Sequence, residues 1–188
     1  RRRRRPPLRT TGVRRALACR RPQHRRPRRR QRPRQRPRPP PRRPPRRPPP
    51  GQLINPIIQL IDQAGHEVVR REIIPDEPDA MRLLLSECAQ QQGIQAVLMT
   101  GGTGISNRDQ TYETVTALFT REIPGYGELF RHLSFKEIGS ASILSRATAG
   151  LINKLLVITM PGSPAAVQLA MEQIILPELR HLVREATK

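Results

Sequence analysis

The chain has 188 residues and a formal net charge of +20, but the charge is confined to the first fifty, which hold 23 of the 35 Lys and Arg side chains and no Asp or Glu. Residues 51–188 carry twelve basic and fifteen acidic groups, so a whole-chain average describes neither part. No run approaches the ~20 apolar residues of a membrane span, the basic start is never followed by the ~7–15 apolar residues of a secretory signal, and Cys19 and Cys88 alone make no disulfide or metal framework, which fits a cytoplasmic protein.

Residues 1–50 contain 14 of the 21 prolines and only six apolar side chains, too few to offset an ordering entropy of roughly 1–2 kcal/mol per residue. They predict a disordered, polyproline-leaning tail. Such a polycation would bind nucleic acid or anionic headgroups by counterion release, but it has no aromatic residue to stack on bases. From Gly51 the pattern changes. Leu53, Ile54, Ile57, Ile58, Ile61 and Ala64 recur at helical spacing up to Gly65. HEVVRREII then reads as a strand ending at Pro75, and DAMRLLLSECAQQ as an amphipathic helix stopped by Gly93. IQAVLMT is an apolar run suited to a strand covered on both faces. A third helix is expected from a cap at Thr111 to about Phe119, and, after PGYG, a short fourth around ELFRHLSF. LLVITM, residues 155–160, is the next buried strand. A helix follows from about Ala165, and Pro177 begins or kinks the last one. Strands alternating with helices predict a parallel, doubly wound α/β sheet.

In such a sheet the chemistry sits at the carboxyl ends of the strands. Three loops there carry unusual residues. TGGTGISNRD offers Thr100, Gly101, Gly102, Thr103 and Gly104, whose backbone N–H groups and hydroxyls suit an anion, with Asp109 just before a helix. It lacks the lysine of a Walker loop, and Asp109 reads equally as a helix cap. IIPDEPD places Asp76 at a strand end, as a Mg²⁺ or hydroxyl ligand or as a cap for the next helix. MPGSP supplies Gly162 and Ser163 beside a helix start. Upstream, Ser145 and Arg146 form a donor pair suited to a phosphate. The four histidines, His24, His66, His132 and His181, show no ligand spacing.

TGGTGISNRD, T-x-E-T-V, IPGYGELFRHLSFKEIGSASILSRATAG and MPGSPAAVQLAMEQIILPEL, in that order, resemble the MoaB/Mog family of molybdenum cofactor biosynthesis proteins, closest to the MoaB branch, over essentially all of 51–188. The resemblance implies a three-layer α/β/α domain with a mostly parallel sheet. It also implies a homo-oligomer, trimer or hexamer, that binds molybdopterin and meets other cofactor-biosynthesis proteins. Active members transfer AMP from MgATP to the phosphate of molybdopterin; a non-catalytic pterin carrier would share every binding motif. Carried over, Asp76 and Asp109 are the functional acids, with Asp109 as the Mg²⁺ ligand. The TGGTG loop, Ser145–Arg146 and Gly162–Ser163 form the pterin and phosphate surface. Members of the family also begin with a buried strand, a Ser-Asp pair and an Asp-x-Ser-Gly signature, of which Gly51 matches the last residue. Here arginine and proline stand before it, so the domain is expected to lack its first strand. Two origins for residues 1–50 stay open: a genuine tail, binding nucleic acid, or the out-of-frame reading of a GC-rich gene.

Overall fold

A single strand organises the computed structural model, which describes residues 51–188; the tail expected over residues 1–50 lies outside them. That strand, β4 (Leu155–Met160), is buried at all six positions. So unbroken an apolar run fits only a strand covered on both faces. On one side it pairs in parallel with β1 (Ala96–Thr100), Ala96 opposite Leu156 and Thr100 opposite Met160. On the other it turns back through Asn153 and Lys154 into antiparallel β3 (Ala149–Ile152). Asn153 takes φ of 55°, the left-handed conformation that tight hairpin turns require. The two-residue β2 (Arg121–Glu122) pairs antiparallel with β3, giving the order β1-β4-β3-β2. Of the three pairings described, the one at the functional end is parallel and the other two are antiparallel.

Alternation along β4 sorts its side chains between two helical layers. Leu156, Ile158 and Met160 face α1 (Gly51–Gln63), α4 (Pro124–Ile138), α5 (Pro164–Ala170) and α6 (Leu176–Thr187), where Ile57, Phe130, Val167 and Leu179 are buried against them. Leu155 and Val157 face α2 (Pro78–Gln90) and α3 (Thr111–Thr116), meeting Leu85, Cys88 and Val115. Each large side chain so buried contributes roughly 1.5–3 kcal/mol. The expected three layers, α/β/α, are present.

Several elements depart from the sequence reading. HEVVRREII forms no strand. His66, Val68 and Arg70 are half-buried while Glu67, Val69 and Arg71 are exposed, so the period of two is there, but the segment has no ladder partner among the described residues. Arg70 instead ties it to α2, through a 2.7 Å bond to Glu87, and to its own Glu72 at 2.8 Å. The outer edge of β1 is likewise unpaired among the described residues, and its apolar positions are only half-buried rather than covered. PGYG does not precede α4 but forms its first turn. Pro124 fits there because a helix start leaves its missing N–H unneeded, and Tyr126 drops into the core, its hydroxyl donating to Thr159 O at 3.1 Å. Burial pushes the Tyr126 phenol well above its ordinary pKa. Thr111 is the first helical residue of α3 rather than its cap, and the helix stops at Thr116. Pro177 stands in the first turn of α6, as one of its two expected roles had it, and a π segment, Met171–Ile175, joins α5 to that helix. Pro177 has no N–H for Gln173 O and its ring crowds that carbonyl, so the preceding turn widens and Leu176 N reaches back to Met171 O.

Candidate functional site

The glycine loop leaves β1 at the carboxyl end of the parallel pair. Gly101 N donates to Met160 O at 3.0 Å, extending the β1–β4 ladder by one bond before the chain turns. Gly101 and Gly102 then take φ of +103° and +63°. The start of α3 pins the loop: the Thr111 hydroxyl donates to Gly101 O at 3.2 Å, and Thr111 N to Gly102 O at 3.2 Å. With its carbonyls held this way, the loop leaves the N–H groups of Gly102, Thr103 and Gly104 without an acceptor among the described residues. Thr103 is buried as a whole residue, so the N–H groups an anion can reach are those of half-buried Gly102 and Gly104. The Thr103 side chain itself is buried, so its hydroxyl is not at the surface as expected.

The MPGSP loop, from the end of β4, lies against this one. The Thr100 hydroxyl donates to Pro161 O at 3.3 Å, and a Cβ on Gly162 would stand 3.3 Å from Gly101 Cα. Ser163 caps α5, its Oγ accepting from Ala166 N at 3.3 Å. Asp76 joins from the segment before α2: its exposed carboxylate lies 3.5 Å from where a Gly102 Cβ would stand, and no hydrogen bond holds it among the described residues. The three loops read from the sequence thus meet at one rim.

Arg146 does not point out as a free donor. Its backbone N donates to Thr103 O at 2.9 Å, Nε to Gly104 O at 2.8 Å and Nη2 to Asp109 O at 2.7 Å. Nη1 donates to the Glu113 carboxylate, and the guanidinium lies 5.3 Å from the centroid of the Tyr112 ring. One side chain therefore clamps both ends of the 104–109 loop onto α3. The hydrogen bond from Arg146 holds the Glu113 carboxyl below the usual carboxylate range. Ser145 serves the turn beside it, its Oγ accepting from Ala147 N at 3.3 Å.

Asp109 closes the loop from within. Its N donates to Ser106 O at 2.8 Å, while Oδ2 accepts from Ser106 N at 3.1 Å. It is a loop-closing residue rather than a helix cap; α3 has Gln110 at that position, without a side-chain bond. Its second oxygen, Oδ1, makes no hydrogen bond among the described residues. Beside it opens a cleft of about 300 Å³ lined by Ile105, Ser106, Asn107, Asp109, Glu113 and Arg146. Among the described residues no three His, Cys, Asp or Glu side chains gather as a metal cage. A Mg²⁺ that arrives on nucleotide phosphates needs only one or two carboxylates, and Asp109, which lines the cleft, has the oxygen chemistry for it. Thr111, Tyr112 and Glu113 are the site residues that reasoning from the sequence passed over; the T-x-E-T-V motif held all but Tyr112, without showing what they hold.

Comparison with known proteins places the chain in a family. Residues 55–181 match the family model described as "Probable molybdopterin binding domain". Molybdenum cofactor biosynthesis protein B of Bacillus subtilis (strain 168) is 52% identical over 134 residues, covering 70% of this chain and 78% of that protein. Its namesake in Halalkalibacterium halodurans is 47% identical over 133 residues, with the same coverage. Among solved structures, one titled molybdenum cofactor biosynthesis protein B superposes with a TM-score of 0.68 at 44% identity, covering 73% of this chain and 84% of that one. The tungsten cofactor synthesizing protein MoaB from Pyrococcus furiosus gives 0.67 at 35%, covering 73% and 86%. With the glycine loop, its arginine clamp and the two acids inside the matched region, the chain belongs to the MoaB family of molybdenum cofactor biosynthesis proteins.

Proposed function

We propose that the rim formed by the TGGTG and MPGSP loops binds molybdopterin in the service of molybdenum cofactor biosynthesis. The observation that carries this is the pair of half-buried glycine N–H groups, on Gly102 and Gly104, left without an acceptor among the described residues, in the loop that continues into the Asp109 cleft. The phosphate of the pterin is the anion these donors suit, and the open face of the cleft takes the ring. Gly162 keeps the MPGSP loop close enough to share that ligand, while Ser163 and Ser145 shape the two turns around it.

The finer reading is transfer of AMP from MgATP to that phosphate. A phosphate oxygen attacks the α-phosphorus of ATP, the bond to the β-phosphate breaks, and pyrophosphate leaves. The attacking group is already an anion, so this chain has no proton to remove; its residues hold and orient. Asp109, with Asp76 in support, would hold a Mg²⁺ carried on the phosphates, whose charge the ion would neutralise, and Arg146 fixes the loop that carries Asp109. Incubating the full chain with molybdopterin and ATP labelled at the α-phosphate tests the reading. Label on the pterin with release of pyrophosphate is the expected result. Pterin bound without label would make the protein a carrier, and no pterin binding would remove the proposal.

A homo-oligomer, trimer or hexamer, belongs to the same reading. At the end of α4 and in the following 3₁₀ turn, Gly139–Leu144, the side chains of Phe135, Ile138, Ile143 and Leu144 are all exposed, a patch that a monomer leaves wet. A cytoplasmic setting suits this work; among the described residues no helix is long and apolar enough to cross a membrane. The unpaired edge of β1 is where the expected first strand would add, and nucleic-acid binding depends on residues 1–50 being genuine.

A further inference from the structure

The donors of Arg146 divide into two kinds. Nε and Nη2 go to the carbonyls of Gly104 and Asp109, which belong to the loop backbone and move only if the loop moves. Nη1 goes to Glu113, a side chain that remains 60% exposed, on the first turn of α3 at the wall of the cleft. The Tyr112 ring lies against the guanidinium and the two carbonyls fix its plane, so the direction of Nη1 is set whether or not Glu113 is there. Anions and Glu113 would therefore compete for one pre-aimed donor.

We propose that Glu113 occupies on Arg146 the position of a ligand phosphate, and that a phosphate group entering the cleft displaces it. The proposal rests on reading this rim as a phosphate site and adds which contact exchanges there. The magnitudes allow it. An ion pair with one partner this exposed is weak, so its release costs a ligand little, whereas a phosphate oxygen on a guanidinium makes a strong charge-assisted bond. While Glu113 stays in place, the cleft carries two carboxylates, Asp109 and Glu113, against one arginine that lines it, and repels a free anion. Once displaced, Glu113 swings into solvent and the ligand inherits the arginine. The pair thus discriminates: groups with enough negative charge to replace a carboxylate enter, and neutral ones meet a closed contact.

Calorimetric titration of the full chain with inorganic pyrophosphate tests this, using wild type, Glu113→Gln and, as a control for net charge, Glu137→Gln on the far end of α4. Glu113→Gln is expected to tighten pyrophosphate binding by about two- to five-fold, the worth of an exposed ion pair, and Glu137→Gln to leave it unchanged. Binding by Glu113→Gln alone would support the proposal most directly. Wild-type binding that Glu113→Gln fails to tighten, or that Glu137→Gln tightens equally, would overturn the exchange and leave the phosphate site standing. If none of the three binds, the phosphate site falls and the exchange with it. A measurement without substitution runs alongside: the Nε–Hε resonance of Arg146 in the wild type should shift on adding pyrophosphate, and a resonance unmoved at saturation would overturn the proposal.

Discussion

Gly102 refuses a side chain on two counts. Its φ of +63° is left-handed, and a Cβ there would overlap the Thr111 hydroxyl. Gly102→Ala should therefore lose about 2–4 kcal/mol of stability by urea unfolding, and adding Thr111→Ala should restore only the steric part. Glu113 makes a pH-dependent contribution. Because Arg146 holds its folded-state pKa below the ordinary value, the contribution is complete above the unfolded-state pKa, about 4.3. It disappears as pH falls through the lower folded-state value. Urea midpoints should accordingly separate wild type from Glu113→Gln at neutral pH, and the gap should narrow and close in acid. That the glycine loop, Asp109 and the MPGSP loop share one rim was legible in the sequence because their loops follow the strands β1 and β4, whereas Asp76 reaches the rim from a segment that forms no strand. The engagement of Arg146 was not, since the acceptors of its side chain lie 33, 37 and 42 residues away, beyond any local pattern.

β3 owes its place to a close approach. Gly150 lies under the ring of Phe119, where a Cβ would intrude on the ring atoms. Gly150→Ala should cost about 1–3 kcal/mol, and Phe119→Leu, mildly destabilising alone, should recover part of it. A double-mutant cycle reads the coupling, and additive losses would show that the ring moves aside freely. Strand β3 went unread because AGLI is short and its reason for pairing is the hairpin turn at Asn153. LLVITM was legible outright, since burial on both faces leaves a continuous apolar run. HEVVRREII shows the limit of periodicity: alternation marks a segment able to be a strand, but the ladder needs a neighbour elsewhere in the chain. Pro124 and Pro177 teach the same lesson from helices. One proline starts α4 and the other widens a turn within a continuing helix, and only tertiary packing distinguishes those outcomes from a break.

For the molecule as a whole, the exposed patch on α4 and the 3₁₀ turn is the feature most open to test. If it is the oligomer contact, light scattering on the eluting full chain should give a trimer or hexamer, and Phe135→Asp with Ile138→Asp should give a folded monomer. An unchanged mass in the double variant would place the contact elsewhere. The parallel pair β1–β4 has a consequence in time. Its two strands are neighbours from Ala96 opposite Leu156 onward, yet α3, β2, α4 and β3 lie between them in the sequence. A ribosome adding about 5–20 residues per second must finish all four before β1 meets β4, the one partner it has among the described residues. For those seconds AVLMT has helix α2 to pack on but no strand to pair with. Chaperone capture in that interval, more than equilibrium stability, would then set how much of the protein survives its own synthesis.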